Sequence, residues 1–246
     1  METKKKIVVI NGSPKKERSS TMVVTNAFLK GLNVNNDCDI EIINVSDLKI
    51  TPCLGCLSCW GRTAGECVIK NDDVNIVKEK IDNADIVINS YPLYFFSMPG
   101  INKVLTDRLL SMMCTYEGQI APRDGQSFHG IRNPRPNRKF IVISTCAYTE
   151  TDLAYTSLLK QYDCICGQNN YLAILVPQMK TLVELNNQNK IDRFLEKFTL
   201  AGQEFIENGS LSEDTKIKLL KPPFTTSAYK VFLNNFWTNE REKGKK

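Results

Sequence analysis

Stretches of β-branched and aliphatic residues recur along the chain, separated by segments whose apolar residues return every three or four positions. Lys6–Asn11 (KIVVIN), Asp85–Tyr91 (DIVINSY), Lys139–Thr145 (KFIVIST) and Tyr171–Pro177 (YLAILVP) are apolar through most of their length, the pattern of strands buried on both faces. Asp39–Val45 (DIEIINV) alternates and predicts a strand nearer the sheet edge. Helical spacing predicts helices over Ser20–Leu32, Val74–Ile81, Gly100–Met113, Thr151–Gln161 and Ile191–Asn208. Five strands alternating with helices imply a parallel sheet covered on both faces, and right-handed crossovers make a five-stranded doubly wound α/β sheet the simplest topology.

Residues 1–208 are expected to form this domain, with a cysteine-rich loop at 52–68 after the second strand. Residues 209–246 read as an extension, broken at Pro222-Pro223 and closed by a short helix, and not as a separate domain. Thr115–Asn137 is a long Pro-, Arg- and Gly-containing insertion, of a length that usually covers a site or stays disordered.

Composition narrows the class. The 246 residues are 42% hydrophobic and 24% charged, ordinary for a globular protein. No apolar run approaches the roughly 18 residues of a membrane span. The apolar run after the N-terminal lysines, Ile7 to Ile10, is too short for a signal-peptide core, so a cytoplasmic protein is expected. Much of the net charge of +5 sits at the two ends, as solvated tails do, and gives no reason to expect nucleic acid. The single histidine, His129, lies in a polar loop and reads as non-catalytic. Nine cysteines in a reducing compartment do not suggest disulfides. Cys38, Cys114 and Cys146 read as buried small hydrophobes, and Cys164-x-Cys166 as structural.

Two loops carry chemistry. The first strand runs into Asn11-Gly12-Ser13-Pro14-Lys15-Lys16-Glu17-Arg18-Ser19-Ser20-Thr21, and a helix follows. A helix N-terminus with hydroxyls at Ser13, Ser19, Ser20 and Thr21 and cations at Lys15, Lys16 and Arg18 suits a phosphate. The loop lacks the endings of the nucleotide-triphosphate and dinucleotide fingerprints, and one glycine fits a single phosphate ester better than a pyrophosphate. It reads equally as a polar strand-to-helix turn with Ser20 as N-cap. The third strand ends in Tyr91-Pro92-Leu93-Tyr94-Phe95-Phe96-Ser97-Met98-Pro99-Gly100, which places three aromatics where a doubly wound sheet opens its binding crevice.

On GSPKKERSST, SYPLYFFSMPG with the following KVLTDR, and the cysteine segment running into VIKNDD, the sequence resembles the flavodoxin-like NADPH-dependent FMN reductases. The tail Tyr229-x4-Asn234-x2-Trp237 resembles theirs too. The resemblance implies a flavodoxin-like sheet of order 2-1-3-4-5 and bound FMN. Ser13, Ser19 and Thr21 would hold its phosphate, with Lys15 and Ser20 in the same loop. Pro92, Leu93, Tyr94, Phe95, Phe96 and Ser97 would line the isoalloxazine ring, and Thr145, Cys146, Ala147 and Tyr148 would flank its other side. Lys15 to Arg18 are bulkier than the Gly or Asn of many members. A homodimer, with a neighbouring subunit completing the flavin pocket, is also implied.

Cys53-x2-Cys56-x2-Cys59-x7-Cys67 puts four thiols on one loop, and successive x2 intervals wrap around a metal centre as in bacterial ferredoxin loops. A zinc clip and packed free thiols are the other readings. The loop also resembles that of iron–sulfur flavoproteins, a branch of the same family, which implies a [4Fe–4S] cluster on Cys53, Cys56, Cys59 and Cys67.

The resulting expectation is an FMN-dependent NAD(P)H oxidoreductase delivering electrons to a quinone, another small molecule or a protein acceptor, with the cluster as an intermediate carrier. Hydride transfer to a flavin requires no protein acid or base, so no catalytic residue is named. The alternatives are a ferredoxin-linked electron carrier with little NAD(P)H activity, and a non-enzymatic thiol or metal redox sensor.

Overall fold

Alternate residues of the central strands point to opposite faces, and helices cover both faces. A computed structural model describes residues 4–115 and 125–244. Five parallel strands, β1 (Lys5–Asn11), β2 (Cys38–Asn44), β3 (Ile86–Pro92), β4 (Lys139–Cys146) and β5 (Tyr171–Pro177), form one sheet of order β2-β1-β3-β4-β5. Eight helices accompany them among the described residues: α1 (Ser20–Leu32), α2 (Val74–Asn83), α3 (Gly100–Arg108), α4 (Thr151–Cys166), α5 (Met179–Glu184), α6 (Gln188–Asn208), α7 (Glu213–Leu220) and α8 (Thr226–Lys243).

One face of the sheet packs Ile7, Val9, Ile86, Ile88, Ile141, Ile143, Ile174 and Val176 against α1, α5 and α6. Across it, Val8, Ile10 and Val87 meet α2 and α3, while Tyr91, Val142 and Leu175 meet α4. This is the flavodoxin-like doubly wound arrangement that the strand pattern predicts. Helices α1 and α6 cross so closely that a Cβ on Gly31 would lie 1.9 Å from the Thr199 carbonyl oxygen, and one on Gly202 would lie 2.2 Å from that of Phe28. Phe28 and Phe205 pack across this crossing, ring centroids 6.1 Å apart.

Several local expectations change. Ser19, not Ser20, caps α1: its backbone is extended and its side chain accepts from the Thr21 N–H. Helix α3 ends at Arg108 and tightens into a 3-10 turn over Leu109–Met112, where an unbroken helix to Met113 was expected. Helix α4 runs on to Cys166 and stops at Gly167, whose positive φ of 86° suits glycine. Short helices α5 and α7 were not anticipated, and the last helix is 18 residues long rather than short. Leu211 and Leu219, in the segment read as an extension, are buried in the same core as α1 and α6. Cys114 is only half-buried and Cys164 is exposed, unlike buried Cys38 and Cys146. Part of the Thr115–Asn137 insertion lies outside the described residues.

Candidate functional site

The C-terminal ends of β1, β3 and β4 lie side by side, so the loops that follow them share one crevice. The first loop is ordered by its own polar groups. Asn11 donates to Asn44 Oδ1 (2.8 Å) and accepts the Ser13 N–H (3.1 Å), while Asn44 donates to Glu17 (2.7 Å). The Asn44 hydrogen bond holds the Glu17 carboxyl below its ordinary range. Lys15 N–H donates to Ser13 Oγ (3.3 Å), a 3-10 turn covers Lys16–Arg18, and Lys16 pairs with Asp47. Ser13, Ser19 and Thr21 are buried, Ser20 is half-buried, and Lys15 and Arg18 are exposed. Gly12 is pressed against Asn102 of α3: a Cβ there would lie 1.6 Å from Asn102 Oδ1. That oxygen is buried without a hydrogen-bond donor.

The loop after β3 is a tight hairpin. Tyr94 and Ser97 exchange both backbone hydrogen bonds (2.9 and 3.1 Å), leaving Phe95 and Phe96 as its two central residues at φ 48° and 66°. Such turns normally use Asn-Gly, because a side chain at positive φ is strained. Two phenylalanines here hold a costly backbone and present their rings outward, with Phe95 97% exposed. Leu93 N–H donates to the Thr145 carbonyl (2.8 Å), and Phe96 stacks on Tyr148 from the β4 loop with centroids 5.6 Å apart and planes at 16°. Pro92, Leu93 and Ser97 are half-buried.

The β4 loop completes the group. The Thr145 hydroxyl lies 2.6 Å from that of Thr21. Burial pushes the Cys146 thiol up, which keeps it protonated, and its carbonyl accepts from the Gln178 N–H (2.8 Å). Tyr229 of α8 donates its hydroxyl to the Ala147 carbonyl (2.7 Å), so the C-terminal helix is pinned to this loop. Ala147 and Tyr148 themselves are exposed.

The four clustered cysteines lie beyond β2. Cys53 and Cys56 are exposed; Cys59 and Cys67 are half-buried. Burial, and then the nearby Cys67, pushes the Cys59 thiol up. Hydrogen bonds from Ser58 pull the Cys56 thiol down. Among the described residues no group of three or more His, Cys, Asp or Glu side chains is arranged to hold a metal ion, so the loop has no closed coordination shell. Trp60 Nε1 donates to the Leu110 carbonyl (3.2 Å), and Trp60 packs on His129 with ring centroids 4.7 Å apart.

Residues 5–125 match the family model of the NADPH-dependent FMN reductases. This segment belongs to that family. It carries β1 to β3, the hydroxyl loop, the cysteine loop and the aromatic hairpin. Iron–sulfur flavoproteins are similar to the chain as well: that of Clostridioides difficile is 35% identical over 107 residues (44% of this chain, 47% of the relative). That of Methanosarcina thermophila is 30% identical over 103 residues (42% and 51%). The matches thus span about half the length of these curated relatives. In fold, an NAD(P)H:quinone oxidoreductase from Methanothermobacter marburgensis superposes with a TM-score of 0.61 at 18% identity, covering 85% of this chain and all of that one. An FMN-dependent NADH-azoreductase from Bacillus anthracis superposes with a TM-score of 0.57 at 19% identity, covering 82% and 99%. Outside the family segment, β4, β5 and their helices complete the flavodoxin-like sheet.

Two structural features beside the crevice and the cysteine loop escaped the sequence reading. Asn102 and Gly12 approach each other only once α3 docks beside β1. Arg108 and Asp72 fall within the stretches that carry the family resemblance, yet nothing in the pattern shows that they form a fully buried pair.

Proposed function

We propose that the protein is an FMN-dependent NAD(P)H oxidoreductase that passes electrons to a quinone, another small molecule or a protein acceptor, with a [4Fe–4S] cluster on the cysteine loop. The observation that supports it most is the meeting of three loops at one edge of the sheet, where Thr21 meets Thr145 and Phe96 stacks on Tyr148. The residues fit the flavin. Buried hydroxyls at Ser13, Ser19 and Thr21 and the exposed cations Lys15 and Arg18 suit the phosphate. Ser19 Oγ accepts from the Thr21 N–H, so its own hydrogen is free to donate. Asn102 Oδ1, buried without a donor, suits a hydroxyl or ring N–H of the ligand. Pro92 to Ser97 and Thr145 to Tyr148 would bracket the ring. Four soft thiols on one loop fit iron and sulfide.

When bound, FMN would take a hydride from the nicotinamide and the cluster would carry single electrons. The chain's own part is to hold the phosphate, to keep a planar aromatic wall beside the ring and to keep Cys146 protonated and inert. No described helix is long and apolar enough to cross a membrane. The exposed Phe95 at the crevice mouth favours a homodimer in which a neighbouring subunit covers it. A second reading, a ferredoxin-linked carrier, is favoured by the exposure of Cys53 and Cys56, which brings the cysteine loop within reach of a protein partner.

The test is anaerobic. Protein denatured after purification should release FMN and not FAD. NADH or NADPH should bleach the flavin absorption of the intact protein at a rate that supports turnover with a quinone. Release of FAD, or no flavin binding on reconstitution, overturns the flavin reading. Flavin that only reduced ferredoxin bleaches replaces the reductase by the carrier.

A further inference from the structure

The cysteine loop is long and irregular, yet its two ends are tied together. Lys49 and Asp73 bond through Lys49 N–H to Asp73 Oδ2 (2.7 Å) and Asp73 N–H to the Lys49 carbonyl (3.0 Å). Thr51 N–H donates to Asp72 Oδ2 (3.0 Å). Arg108, at the far end of α3, reaches into this neck with its side chain wholly buried. It donates to the Thr51 carbonyl (2.6 Å) on the incoming strand, to the Ile69 carbonyl (3.2 Å) on the outgoing one, and to Asp72 Oδ2 (2.5 Å) and Oδ1 (3.3 Å). A guanidinium has five N–H donors. Four are spent on the two sides of the neck, and the fifth, on Nε, is buried with no hydrogen-bond partner.

We propose that Arg108, together with Asp72, is a positioning residue that closes the neck of the cysteine loop. The closing of the neck stands on these hydrogen bonds and does not depend on what the cysteines bind. Lysine cannot replace the arginine, because one ammonium does not present a rigid fork to both sides of the neck. The x7 interval before Cys67 makes it the ligand that must be carried back to the other three, and the clamp acts at the point of return. Helix α3 begins directly after the aromatic hairpin, so the residue that shapes the cysteine loop is built on the helix that leaves the candidate flavin site.

The experiment uses the full chain: hydrogen–deuterium exchange of residues 52–68 is followed in metal-free protein. Arg108→Lys and Arg108→Gln should each speed exchange there at least about tenfold, the signature of lost local protection, while amides of the loop at 13–21 keep the wild-type rate. If a lone buried charge prevents folding, the double variant Arg108→Met/Asp72→Leu removes both charges together, which such pairs often tolerate. It should fold and still lose protection at 52–68. Wild-type exchange in the variants that fold overturns the clamp. Loss of flavin from the same variants, with exchange at 52–68 unchanged, would likewise overturn the clamp by placing the effect at the crevice instead of the neck.

Discussion

Thr21 and Thr145 share a hydrogen bond of 2.6 Å although 124 residues separate them in sequence. One lies in the first turn of α1 and the other near the end of β4, so the bond ties the hydroxyl loop to the loop on the far side of β3. Both side chains are enclosed, and Thr21 is not exposed at all. Its service to a phosphate therefore depends on exchanging the Thr145 partner for the ligand, or on holding Ser13 and Ser19 in place.

Replacing Thr21 with Val leaves the Thr145 hydroxyl buried and unpaired, at a cost of about 1–3 kcal/mol. Replacing Thr145 with Val does the same to Thr21. If the bond serves mainly to align the two loops, both variants should weaken FMN binding by a similar factor in a fluorescence titration. A loss confined to Thr21→Val would mark Thr21 as a direct ligand, and no loss in either would remove both from the flavin site.

The Phe95–Phe96 turn should be more stable without its aromatics. Each side chain at positive φ costs roughly 1–2 kcal/mol. Phe95→Gly is expected to raise the unfolding midpoint in denaturant while reducing the rate at which the flavin is reduced or reoxidised. A less stable Phe95→Gly protein would show that packing, not strain, dominates at this position.

Cys67→Ala should remove iron and leave FMN. Wild-type protein purified without oxygen is expected to hold about four iron and four sulfide per chain. The flavin loops share no hydrogen bond with the cysteine loop among the described residues, so flavin content should not change. Metal analysis with the flavin spectrum of the same sample checks both halves. Zinc in place of iron would assign the loop a structural role.

Gly202→Ala has no room. Its methyl group would sit 2.2 Å from a backbone oxygen of α1, which cannot swing aside as a side chain would. A loss of about 1–3 kcal/mol or more is expected from chemical denaturation. Because α1 begins at the hydroxyl loop, weaker FMN binding should accompany it.

The central strands were legible as apolar, β-branched runs buried on both sides and the edge strand β2 by its alternation, and Ser20–Leu32 and Tyr171–Pro177 match the observed elements. The hydroxyl and aromatic loops were legible for a different reason: they stand at strand ends, where a parallel sheet gathers its binding groups. What could not be read were features made by distant parts meeting. The positive φ of Phe95 and Phe96 contradicts the local preference of phenylalanine, so no local rule predicts it. The Arg108–Asp72 pair joins a helix end to a loop 36 residues away. Ser20 lost the capping role to Ser19 because a cap is decided by one backbone angle, and either serine would have satisfied the pattern.

The crossing of Gly31 over Gly202 bears on how the chain is made. On the ribosome, α1 emerges early, but the surface that receives Phe28 and Gly31 belongs to a helix beginning at Gln188. Until α6 has been synthesised, the segment that presents Thr21 has an apolar flank with nothing to rest on. The hydroxyl loop, both sides of the cysteine neck and the aromatic hairpin all precede α6 in the chain, so α1 can dock fully only after they have been made. Stalling or truncating translation before α6 should yield a nascent chain that is recognised by chaperones and does not retain flavin.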